Sequence, residues 1–142
     1  MSIKHKIAKG AVALALTGAS VLGVAGSADA SSGAAWLGYG HTTSGSGVWC
    51  VQHNLNYMID SHAWADDYPD PPYGKIAEDS VWGRRTDATV RWLQGWLTFE
   101  TPDGVVGPNT GSVLISNGDP KYVGTWNTGH GYCWDRLPGD YL

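Results

Sequence analysis

The chain is short of the residues on which enzymatic chemistry is usually built. Glutamate occurs only at Glu78 and Glu100, so the opposed carboxylate pair of a glycosidase has no distinctive sequence signature. No serine is followed three residues later by lysine, which removes the S-x-x-K nucleophile of acyl transferases. His41, His53, His62 and His130 form neither H-x-H nor H-E-x-x-H, the spacings a zinc peptidase needs. A chance metal site could be assembled only from His62 with Asp66 or Asp67, against the plainer reading of solvated surface histidines. Cysteine occurs twice, at Cys50 and Cys133, without the S-x-G-C surroundings of a cysteine transpeptidase or amidase. These absences argue against a catalytic role and against a resident metal or cofactor.

Basic residues are also scarce, and they are unevenly placed. Lys4, Lys6 and Lys9 precede an apolar run from Ala11 to Ala25 carrying Val12, Leu14, Leu16, Val21 and Leu22. Ala28-Asp29-Ala30 then provides the small residues of an A-x-A cleavage site. This order predicts a secretory signal peptide over residues 1–30. The alternative, a retained anchor, is disfavoured because a span needs roughly 20 apolar residues. The mature part, Ser31–Leu142, has 112 residues and suits one domain. It keeps six basic and twelve acidic residues, a net charge of −6. Such a surface suits neither nucleic acid nor anionic lipid, both of which select for positive charge. In an exported chain the two cysteines read first as a disulfide, with a reactive thiol as the rival. The bridge would close a loop of about 83 residues and tie the C-terminal segment to the first helix.

Tryptophan, by contrast, is abundant: Trp36, Trp49, Trp64, Trp82, Trp92, Trp96, Trp126 and Trp134. A domain of this size has no room to bury all eight. Some must face solvent, where indole is common at binding sites. The plain reading of any one of them is core filler.

Residues 31–46, rich in Gly, Ser and Thr, read as a flexible lead-in. From Val48 the spacing of Val48, Val51, Leu55 and Met58/Ile59 predicts an amphipathic helix with Ser46 as its N-cap. Asp66, Asp67, Pro69, Asp70, Pro71, Pro72 and Gly74 make Ser61–Ala77 a surface loop. A second helix carries Val90, Leu93 and Leu97 on one stripe. Trp92 and Trp96 lie about 110° round on another, and Thr86 or Asp87 is the candidate cap. Thr101–Gly104 is a turn. A third helix starts near Pro108, includes Val113 and Leu114, and stops at Asn117-Gly118. The tail, 119–142, centres on Asn127-Thr128-Gly129, which suits a β-hairpin.

Two patterns each occur twice. V-x-x-(aliphatic)-Q-x-x-L appears as Val48, Val51, Gln52, Leu55 and as Val90, Leu93, Gln94, Leu97. D-x-V-x-G-x-x-T appears as Asp79, Val81, Gly83, Thr86 and as Asp103, Val105, Gly107, Thr110. In this turn Asp is expected to reverse the chain and Val to plug the core. Gly would adopt a conformation other residues resist, and Thr would cap or steady the next helix. Such repetition predicts one turn-plus-helix unit built twice and packed on itself.

In order and in type these residues resemble the peptidoglycan-binding-like domain, the three-helix module attached to many cell-wall hydrolases. Asp103–Thr110 matches the family's second turn throughout, and the first turn matches with Ser80 where Gly is usual. Val90, Leu93 and Gln94 match the middle helix. The likeness covers Gly47–Leu114. It departs from the family in the long Asp/Pro-rich link and in the Trp-rich tail bearing Cys133. The resemblance implies a mainly α fold, a three-helix bundle over 47–118, and a monomeric, secreted, cell-wall-associated protein whose partner is peptidoglycan. Candidate contacts are Trp82, Trp92 and Trp96, with Arg84 and Arg85 available to a stem-peptide carboxylate, then Trp126 and Tyr132. For Trp82 the competing reading is a core plug, and for the arginines a solvated helix start. A wall-active enzyme and a partner-binding or inhibitory protein on the same fold are the alternatives.

Overall fold

A computed structural model describes residues 33–61, 69–98 and 101–140. The leader over 1–30, Trp64 and the candidate metal ligands His62, Asp66 and Asp67 lie outside the described residues. The described chain is mainly helical: α1 (Ser46–Ser61), α2 (Arg84–Leu93), α3 (Pro108–Asn117) and the short α4 (Pro120–Val123). A two-stranded antiparallel hairpin follows, β1 (Gly124–Thr125) with β2 (Gly129–His130), paired Gly124 to His130 and Thr125 to Gly129. A single 3-10 turn, Trp134–Arg136, closes the tail. No helix among the described residues is long and apolar enough to cross a membrane.

The helices form where apolar residues recur at three and four positions. Val48, Val51, Leu55 and Met58 are fully buried along one face of α1, which packs on α2 and α3. Val90 and Leu93 of α2, Leu114 of α3 and Leu137 of the tail complete the core. After Leu93 the helix widens into a π-helical turn, Gln94–Thr98. Pro108 takes the first position of α3, where its missing N–H costs nothing.

The two repeats converge on one hydrogen-bonded unit, made twice. The carboxamide of Gln52 donates through Nε2 to Asp79 Oδ1 (2.9 Å), the Val81 carbonyl (3.0 Å) and Thr86 Oγ1 (3.2 Å). Its Oε1 accepts from the Ser80 N–H at 2.9 Å. Gln94 repeats this with Asp103 Oδ1 (2.8 Å), the Val105 carbonyl (2.9 Å), Thr110 Oγ1 (3.1 Å) and the Gly104 N–H (2.8 Å). Both glutamines are 1% exposed. Within each turn the aspartate also accepts from the N–H two residues on, at Val81 (3.0 Å) and Val105 (2.8 Å).

This geometry corrects the reading of the turn in three places. The valine is not the core plug: Val81 is 56% exposed, and the plug is the next residue, Trp82 at 4% and Val106 at 0%. The left-handed position is not the motif glycine. Gly83 and Gly107 have φ of −118° and −98° and cap the helices through extended backbone, whereas Ser80 (φ 62°) and Gly104 (φ 74°) hold positive φ. A Cβ at Gly104 would meet the Asp87 and Arg91 side chains and sit at positive φ, so glycine is favoured there. Nor does Thr86 or Asp87 cap α2. The helix starts at Arg84, Thr86 accepts from Gln52, and Asp87 pairs with Arg91 at 2.8 Å. Similarly, Ser46 is the first residue of α1, whose first turn closes from the Trp49 N–H to the Gly45 carbonyl.

The lead-in, expected to be flexible, is paired backbone from Leu37 on. Leu37 exchanges both bonds with Val106 (3.2 and 2.8 Å), and Thr43 accepts from Trp82 at 2.8 Å. One segment thus bridges equivalent positions of the two turns. The described part of the Asp/Pro-rich loop is largely exposed, and Asn56 pins it by bonding both the N–H and the carbonyl of Ile76, each at 2.8 Å.

Two predictions follow from the glutamine units. Gln52→Ala and Gln94→Ala each strand buried partners costing roughly 1–3 kcal/mol apiece, so urea unfolding is expected to show a loss of about 3 kcal/mol. A loss below about 1 kcal/mol would contradict the role given to the unit. The second concerns pH. The Val81 N–H and then the Gln52 carboxamide hold the Asp79 carboxyl below its ordinary value of 3.8. A depressed carboxyl contributes stability that is fully present above 3.8 and is lost as pH falls through the lower folded value. Asp79→Asn is expected to flatten the urea midpoint against pH in that acid window, and an unchanged slope would refute the linkage.

Candidate functional site

Trp49 and His53 lie one turn apart on α1, outside the stripe formed by Val48, Val51 and Leu55. Their rings stack, with centroids 4.7 Å apart and planes at 12°. Cys50 follows Trp49 and Cys133 follows Tyr132. The Cys50–Cys133 disulfide, with Cα atoms 5.6 Å apart, therefore sets Tyr132 edge-on to Trp49 at 5.9 Å and 82°. Both sulfur-bearing residues are fully buried.

The tail is fastened a second time by Asp119. Its N–H donates to Asn54 Oδ1 (2.9 Å), its Oδ1 caps α4 through the Lys121 N–H (2.9 Å), and its Oδ2 meets His53 Nε2 (3.2 Å). On the other side His53 Nδ1 meets Glu78 Oε2 at 3.0 Å, and Glu78 Oε1 accepts from Asn56 at 2.9 Å. With both nitrogens engaged, His53 is built to hold neighbours in place. Tyr122, on α4, lies edge-on to His53 (4.3 Å) and to Trp49 (5.3 Å).

Between these rings and the start of α1 runs an open groove of about 440 Å³, lined by Gly45, Ser46, Trp49, Ser80, Tyr122 and Tyr132. Its floor depends on the first glutamine unit, because Gln52 fixes the Ser80 N–H and the Ser80 carbonyl accepts from Gly45 at 2.9 Å. Arg136 lies over the Tyr132 ring at 3.8 Å and Lys121 over Tyr122 at 5.7 Å. Among the described residues no group of three or more His, Cys, Asp or Glu side chains is arranged to hold a metal ion.

Of the seven residues singled out from sequence, the groove contains only Tyr132, which is 48% exposed. Trp82 has its ring in the core, the plug reading of the two left open. Trp92 packs against the core and donates its indole N–H to the Pro69 carbonyl at 2.8 Å. Trp96 is partly exposed on the π-helical turn, and Arg84 and Arg85 lie in the first turn of α2, Arg85 over the Tyr73 ring. Trp126, between the hairpin strands, is fully exposed. Trp49, Tyr122 and His53 were not singled out. A signal for two of the groove rings was present: Trp49 and Tyr132 each immediately precede a cysteine of the expected disulfide.

Comparison of the chain with protein-family models, with curated proteins and with solved structures gave no match.

The disulfide is the main covalent hold on the tail side of the groove. Replacing both cysteines by alanine is expected to lower stability by about 4 kcal/mol, the loop-closure value for this separation. It is also expected to weaken the near-ultraviolet circular dichroism arising from the Trp49–Tyr132 contact. A variant with parental stability and spectrum would show that the tail docks without the bridge.

Proposed function

We propose that this chain is a non-catalytic, secreted module that binds peptidoglycan at the bacterial cell wall. In this reading α1, α2 and α3 are the three helices of a peptidoglycan-binding-like domain, and the tail is an extension that adds one wall of the binding groove. The observation that carries the proposal is the groove itself, with aromatic rings held at fixed angles around an open cleft bordered by small polar residues. Indole and phenol rings offer apolar area together with a polar edge, the combination a carbohydrate-bearing polymer needs. A volume of about 440 Å³ falls within the roughly 300–1,000 Å³ of ligand sites. The recurrence of the Gln-centred turn at both positions where the family carries it supports the fold assignment. The bracketing of His53 by two carboxylates supports a positioning role over that of a general base.

The expected contacts are Trp49, Tyr122 and Tyr132, which replace most of those read from sequence. Sedimentation with insoluble peptidoglycan tests this. The protein is expected to pellet without releasing soluble sugar. Trp49→Ala and the more exposed Tyr132→Ala are each expected to weaken binding about tenfold, or about 1.4 kcal/mol, while remaining folded by urea titration. Release of sugar would favour a wall-active enzyme, and failure to pellet would favour a protein-binding role. Loss on Arg84→Ala or Arg85→Ala, but not on Trp49→Ala, would move the contact surface to the start of α2.

A further inference from the structure

Peptidoglycan presents two chemically different handles, a glycan strand of N-acetylated pyranoses and short peptides carrying free carboxylates. Resting on the peptidoglycan reading above, we infer that the groove grips the glycan strand and not the stem peptide.

The first ground is charge. The six lining residues include no Asp, Glu, Lys, Arg or His. Immediately behind the aromatic wall stand the carboxylates of Glu78 and Asp119, one against each ring nitrogen of His53. Asp79 adjoins Ser80 on the same rim. A peptide carboxylate entering here would leave water for a surround with an excess of negative charge. The two nearest cations are already placed. Arg136 lies on the Tyr132 ring and donates Nη1 to the Tyr132 carbonyl at 2.5 Å, and Lys121 lies on the outer Tyr122 ring. No bidentate carboxylate clamp is built into the groove.

The second ground is shape. Tyr122 and Tyr132 stand at 64° and 82° to the Trp49 plane, so the rings form a corner instead of a flat platform. A pyranose has one apolar C–H face and a polar equatorial edge. Its face packs on an aromatic ring of the corner, and its edge reaches the hydroxyls of Ser46 and Ser80 across the groove. The corner is also preorganised. Trp49 is braced by His53, Tyr122 is held through Asp119, and Tyr132 is held through the disulfide, so few side chains lose freedom when a ligand enters. A cleft of about 440 Å³ falls in the roughly 300–1,000 Å³ range of small-ligand sites.

The test is competition with the oxidised full chain on insoluble peptidoglycan, using two soluble probes: the tetramer of β-1,4-linked N-acetylglucosamine, and a sugar-free stem pentapeptide. The tetramer is expected to release the bound protein and to change its tryptophan fluorescence. Trp49→Ala and Tyr132→Ala should each need at least tenfold more tetramer. The pentapeptide is expected not to compete. Lys121→Ala and a several-fold rise in salt should leave tetramer affinity unchanged, because stacking on neutral sugar is not screened. Competition by the pentapeptide but not the tetramer, or a steep loss of binding with salt, overturns the inference while leaving the peptidoglycan reading in place. Groove-dependent tetramer binding without sedimentation on peptidoglycan does the reverse. Inactivity of both probes overturns the glycan assignment outright.

Discussion

The carboxamide of Gln52 is the interaction on which the rest of the molecule depends. One buried side chain satisfies the turn that follows it by 27 residues, donating to Asp79, Val81 and Thr86 and accepting from Ser80. Burying an amide with its partners absent would cost several kcal/mol, so the bonds hold as a set or fail as a set. Through them α1 dictates where α2 begins. They also force Ser80 into a left-handed conformation that a residue with a Cβ resists. Gln94 does the same for α3, with Gly104 at the left-handed position and without that strain. The lead-in then joins the two units, pairing with Trp82 in one and Val106 in the other.

Seen this way, the duplicated sequence pattern is a hydrogen-bonding requirement. Asp is needed for its acceptor oxygen, Thr for its hydroxyl, and the residue after Asp for its positive φ. The recurrence itself was legible, because each residue type recurs at fixed spacing, but the roles were not: the unusual backbone expected of Gly83 and Gly107 falls on Ser80 and Gly104, and the threonine expected as a cap accepts from the glutamine. The helices were legible from the three-and-four recurrence of Val48, Val51, Leu55 and Met58, and the tail hairpin from Asn127-Thr128-Gly129. Which apolar residue of the turn faces inward was not. Val81 and Trp82 are both apolar, and the choice between them is made by the positive φ at Ser80, which rotates the chain so that Val81 offers its carbonyl to Gln52 and Trp82 its side chain to the core. Nor was the ordering of the lead-in legible, because its Gly- and Ser-rich composition does not reveal that its backbone pairs with distant turns.

The groove was the least legible part, because it is assembled from segments far apart in the chain. Tryptophans conspicuous by number went elsewhere: Trp82 to the core, Trp92 to the loop carbonyl of Pro69, Trp126 to the hairpin. The rings that meet do so because the disulfide and Asp119 lay the tail along α1. The tail thus supplies one wall of the groove. The two structural themes converge there, since Ser80 belongs both to the first glutamine unit and to the groove lining. In the proposed function the duplicated scaffold provides rigidity and Trp49, and the tail adds Tyr122 and Tyr132 to the contact surface.

The most direct measurement is a residue-resolved map of amide and indole chemical-shift changes as solubilised peptidoglycan fragments are added to the isotopically labelled protein. The account predicts that the changes cluster on Gly45, Ser46, Ser80, Tyr122, Tyr132 and the Trp49 indole. Changes centred on Arg84, Arg85 and Trp96, with the groove silent, would contradict it.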